Sequence, residues 1–196
     1  MRVAVVTIVL SVIGSAAEVS AEWHIKPFLG VTFAGDTTFV DVEDAAGSPT
    51  VAWGVSGVLL GEVVGLDIDF SRATGFFESG DRYLVVSSAV TTLAGSVVLA
   101  WPRHLNEYGL RPYFVAGAGL MRVRIEHRLG VLDVADTLPA MQLGGGATGF
   151  LADQIGLNWE IRHFRTIRGT SIGRGLSFGP ERLSFWRGTM ALVIRY

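Results

Sequence analysis

Asp67 and Asp69 stand two residues apart in the stretch VVGLDIDFS, alternating with Leu66, Ile68 and Phe70. Glu160 and Arg162 repeat that spacing in IGLNWEIRHF. Side chains two apart share one face of a strand, and Lys26, Arg111, Gln142, Arg187 and Arg195 fall on the matching parity of their own segments. Charges of both signs collected on one enclosed face can do one of two things. They pair into an ionic plug, because a buried charge without a partner is expensive, or they line a narrow or gated path for ions or small solutes. The plug is the simpler reading. Neutralising Glu160 or Arg162, with Asp67 and Asp69 as candidate partners, would separate the two.

Other chemistry is poorly provided for. A lipid-modifying hydrolase would need a nucleophile, a histidine and an orienting carboxylate within reach of one another. The histidines are His24, His104, His127 and His163, and no serine stands at a recognisable spacing from His163, whose ring can instead snorkel toward headgroups. Glu126, His127, Asp133 and Asp136 lack the spacing of a metal site and read as a solvated loop. The absence of Cys excludes disulfides, thiolate zinc sites and cysteine nucleophiles. GGGATG and GAG look like phosphate-cradling loops, but such a loop lies between a strand and a helix, and both runs sit inside strand patterns. Gly117, Gly119, Gly144 and Gly146 share the charged parity, so they are expected to make room for bulky groups from across the interior, Phe28 or the arginines. No catalytic residue, cofactor or metal is expected. A net charge of −2 without a basic stripe argues against a nucleic-acid partner.

The elements that hold these residues are strands. Of 196 residues, 49% are apolar, only 17% are charged and 25 are Gly, a balance that suits an all-β protein of one domain. The opening MRVAVVTIVLSVIGSAAEVSA has a basic Arg2, an apolar run and a small-residue cleavage site before Glu22, so residues 1–21 read as an export signal and 22–196 as the mature domain. Eight alternating segments follow. In the last, Trp186, Gly188, Met190, Leu192, Ile194 and Tyr196 oppose Arg187, Thr189, Ala191, Val193 and Arg195. Long polar connections are expected at 34–50, 72–87, 122–138 and 166–183, and short ones between the other segments. Short turns at one end and long loops at the other mark a transmembrane barrel of the outer-membrane kind. The aromatics sort accordingly: Trp23, Trp101 and Tyr196 at the short-turn end, Trp53, Phe70 and Trp186 at the long-loop end, as two interfacial girdles require. Trp159 falls mid-strand, outside both.

The segments RPYFVAGAGL and LGGGATGFLADQIGLNWEIRHFR, with the aromatic-terminated last strand, resemble the OmpA-type eight-stranded outer-membrane barrel family, which includes OmpX-like and opacity-type proteins. The resemblance implies an all-β, eight-stranded antiparallel transmembrane barrel, located in the outer membrane and monomeric. It implies that Trp186 to Tyr196 are read by the barrel-insertion machinery, and that outer-membrane lipids and lipopolysaccharide are partners. A structural or surface-interaction role is expected: envelope integrity, adhesion or lipopolysaccharide contact through the loops. Phe76, Phe77 and Tyr83 lie in one such loop; Arg165, Arg168, Arg174 and Arg182, with the single Glu181, give another a basic character suited to phosphates or acidic polymers.

Overall fold

The computed structural model describes residues 21–37, 49–75, 85–102, 109–127, 134–167 and 183–196. Residues 1–20 of the segment read as an export signal lie outside these residues, as do Phe76, Phe77, Tyr83, His104, Asp133, Arg168, Arg174, Glu181 and Arg182. Eight strands follow one another in chain order: β1 (Glu22–Thr37), β2 (Thr50–Leu60), β3 (Val64–Thr74), β4 (Val85–Ala100), β5 (Leu110–His127), β6 (Val134–Phe150), β7 (Ile155–Thr166) and β8 (Leu183–Arg195). Each pairs antiparallel with the next, and β1 pairs with β8, so the sheet closes on itself. Closure leaves no edge with free backbone groups, which hydrocarbon could not satisfy. At the closing seam the Tyr196 amide donates to the Trp23 carbonyl at 2.9 Å.

Alternation sets the two faces. On β3, Gly65, Asp67, Asp69, Ser71 and Ala73 point inward, while Val64, Leu66, Ile68, Phe70 and Arg72 point outward. The outward set of every strand is rich in large apolar side chains: Leu29, Ile68, Phe114 and Leu143 are 65%, 64%, 73% and 64% exposed. A continuous apolar wall of this kind is the lipid face of a transmembrane barrel.

The strands run further than the sequence suggests. The expected connection at 122–138 is taken over by β5 as far as His127 and by β6 from Val134, and the one at 72–87 by β3 as far as Thr74 and by β4 from Val85. At up to 18 residues these strands exceed the roughly 9–11 needed to cross the hydrocarbon, so the barrel stands proud of the membrane at the long-loop end.

The interior is layered. Toward the long loops, Ala52, Ala73, Val90, Met121, Val123, Ala140, Phe164, Leu183 and Phe185 form one buried apolar cluster. Toward the short turns, Val58, Leu60, Val98, Ala100, Tyr113 and Val115 form another. The charged residues lie between them.

Candidate functional site

The charges of the middle layer come from β1, β3, β7 and β8, and polar groups of β2, β5, β6 and β7 complete it. Arg162 is its hub. Its Nη2 donates to Asp67 Oδ2 at 2.6 Å and to Glu160 Oε2 at 2.8 Å, and its Nε donates to Glu160 Oε1. Arg187 binds Asp69 with both terminal nitrogens, at 2.9 and 2.8 Å. The same Asp69 lies 3.8 Å from Arg162 Nη1, so the two arginines share it. The Ser56 hydroxyl donates to Asp67, and the Tyr113 hydroxyl donates to Glu160 at 2.5 Å. Asn158 ties Tyr113 to Thr148, its amide donating to each at 2.9 Å. The ammonium of Lys26 lies 5.2 Å from the centre of the Tyr113 ring. Three buried cations, Lys26, Arg162 and Arg187, thus balance three buried anions, Asp67, Asp69 and Glu160. Bidentate guanidinium–carboxylate geometry is the arrangement most able to offset the cost of desolvating both ions.

Two of the expected lumen charges belong elsewhere. Arg111 is buried but meets no carboxylate of the middle layer; it donates to the carbonyls of Trp101, Gly61 and Glu62 and so closes the short-turn end. Arg195 sits at that rim, 27% exposed, 3.7 Å from Glu22, donating to the Asp153 carbonyl and lying over the Phe150 ring. Both have inward parity, but the strand ends there and the side chains meet turns instead of lumen. Gln142 is buried and donates to Ser96 at 2.5 Å.

The glycines do make room, though for neighbouring strands and not for groups across the barrel. Gln142 pairs in register with Gly117, whose next partner is Ser96, so the Gln142 side chain reaches Ser96 over the bare glycine. A Cβ at Gly144 would lie 2.8 Å from Arg162 Cγ, and one at Gly146 would lie 2.8 Å from the Tyr113 hydroxyl. Phe28 fills space left by Gly54.

His24 lies at the rim, 3.4 Å from Glu22 and edge-on to Phe150. His163 packs on the outer wall against Trp186, ring centres 4.8 Å apart. Among the described residues no group of three or more His, Cys, Asp or Glu could hold a metal ion. Trp23, Trp101 and Tyr196 are exposed at the short-turn end; Trp53, Phe70 and Trp186 are exposed on the outer face toward the long loops. Trp159 is exposed between the two sets.

The barrel has the fold of transmembrane eight-stranded outer-membrane barrels, and solved structures share it. Neisserial surface protein A aligns over 89% of this chain and 97% of its own, at 11% identity and a TM-score of 0.61. OprG of Pseudomonas aeruginosa aligns over 91% and 97%, at 9% identity and a TM-score of 0.58. Ail, the attachment invasion locus protein of Yersinia pestis solved with the heparin analogue sucrose octasulfate, aligns over 89% and 99%, at 9% identity and a TM-score of 0.51. No protein-family model matches the chain. No curated protein matches it in sequence.

Several residues of consequence escape the sequence. Tyr113 and Asn158 complete the polar layer, but their partners lie 45 to 47 residues away and depend on registers that no local pattern reveals. Arg72 and Arg122 fall in stretches that read as loop, yet both are outward strand residues. Carrying the period-two count past Phe70 and Leu120 would have placed them.

Proposed function

We propose that this chain is exported by residues 1–21 and works in a bacterial outer membrane as a closed barrel with a structural and surface-interaction role, through envelope integrity, adhesion or contact with lipopolysaccharide. The observation that carries the reading is the sandwich of one neutralised ionic layer between two apolar layers. An ion crossing the lumen would have to break paired charges and then traverse apolar side chains on either side, which disfavours a channel. Ail, named for attachment, is a precedent for surface interaction on this fold.

The test has two parts. Expressed with its own first 21 residues, the protein should be found in the outer-membrane fraction and change gel mobility on boiling. Reconstituted in planar bilayers, it should give no steady conductance. A soluble periplasmic protein without a mobility shift would overturn the location, and a stable ohmic current would replace the closed barrel with the channel.

A further inference from the structure

The outer wall changes character one step beyond the long-loop aromatics. On β3, Phe70 is followed two residues later on the same outward face by Arg72; on β5, Leu120 by Arg122; on β7, His163 by Arg165. Two residues carry a strand about 6.6 Å. The registers bring Arg72 and Arg122 into one row, while Arg165 lies opposite Met141 on β6, outside it. Trp53, Arg72, Thr91, Arg122 and Thr137 are successive partners in one row across β2 to β6. Arg165 pairs with Ser184, directly above the His163–Trp186 pair.

All three arginines are exposed. Among the outward positions around them are Thr74, Thr91, Thr137, Pro139 and Ser184. Arg124 and then Glu126 follow on the same parity of β5. The opposite rim is mixed in charge, with Glu22, Glu62 and Asp153 near the short turns beside Arg195.

An apolar wall, an aromatic edge and then guanidinium groups match one partner in sequence: acyl chains on the wall, the glycerol or sugar region at the aromatics, phosphate at the arginines. Guanidinium holds phosphate oxygens through two parallel hydrogen bonds. We infer that Arg72, Arg122 and Arg165 form a belt that binds the phosphorylated headgroup of a lipid A-type glycolipid of the outer leaflet. The inference rests on the outer-membrane reading and deepens it, because it places the lipid contact on the barrel wall and not in the loops.

The test uses the folded full-length protein in detergent. Bisphosphorylated lipid A and the same lipid stripped of phosphate are the probes, and retention is read by native mass spectrometry at low and high salt. The wild type should retain the bisphosphorylated lipid about tenfold more tightly than the stripped one, with the difference shrinking as salt rises. The variant Arg72→Gln/Arg122→Gln/Arg165→Gln should lose that preference. Equal retention of both lipids by the wild type, or an undiminished preference in the variant, overturns the belt. Boiled and unboiled mobility is compared on the same preparations. A wild type that does not shift counts against the membrane barrel itself, whereas a variant that shifts normally but drops the lipid supports the belt. Should the triple variant not fold, Arg122→Gln alone should show a smaller loss of the preference, and an unchanged preference there would overturn the belt.

Discussion

Arg187 and Asp69 lie on β8 and β3, 118 residues apart in sequence, and meet through two parallel hydrogen bonds inside the barrel. Phe28 and Phe164 face the guanidinium at 4.7 and 4.8 Å from their ring centres. Ion pair and aromatic sandwich together fix one side of the lumen to the other.

That geometry makes the pair costly to halve. Arg187→Met should destabilise the folded barrel by about 3–5 kcal/mol, since it leaves Asp69 buried with only a long contact to Arg162. Asp69→Leu combined with Arg187→Met should recover a good part of the loss, because no charge is then stranded. Urea unfolding of the three variants in lipid bilayers closes the double-mutant cycle, and strictly additive losses would contradict the pairing.

Glu160→Gln should leave conductance at the wild-type baseline. The substitution weakens one ion pair of the middle layer but leaves the apolar clusters around Phe164 and around Val98 in place. A current that appears with this single change would show that the ionic layer alone seals the lumen.

Glycines on the two faces should respond in opposite ways. A Cβ at Gly144 would press on Arg162 Cγ at 2.8 Å and on the carbonyl of Ile161, so Gly144→Val should abolish the heat-sensitive mobility shift. Gly95 points outward with nothing within 4 Å, and Gly95→Val should keep the shift. Loss of the shift in both variants would mean that strand glycine matters through backbone freedom and not through space.

Ala34 has a φ of 50° beside the irregularity that shifts the β1–β8 register between Phe33 and Asp36. Left-handed backbone is disfavoured for a residue with a Cβ. Ala34→Gly should therefore stabilise the seam by about 1 kcal/mol, read as a higher urea midpoint, and a lower midpoint would refute the strain.

The alternation within the membrane made the eight strands and their faces legible, because lipid demands an apolar residue at every second position. Above the boundary that demand reverses. Phe114 and Leu120 point outward lower on β5, while Arg122 and Arg124 point outward higher up and Met121 and Val123 fill the interior. A strand that turns polar on its outer face looks like the start of a loop, which is why the upper parts of β4, β5 and β6 were hidden. The middle layer was half legible. Parity gathered Asp67, Asp69, Glu160, Arg162 and Arg187, but only registers decide that Asp69 belongs to Arg187 and Asp67 to Arg162, and that Arg111 and Arg195 serve the rim.

The apolar cluster of Met121, Val123, Phe164 and Phe185 above the ionic layer has a consequence for how this protein can change. It lets the part outside the lipid hold its shape from its own interior, as a small water-facing pedestal. Sequence in the connections beyond Thr74 and before Val85, or beyond His127 and before Val134, is thereby mounted on a base that neither the lipid nor the charged layer has to support. Replacing those connections should leave insertion and closure untouched. Variation at the surface and constancy in the membrane can coexist in one short chain.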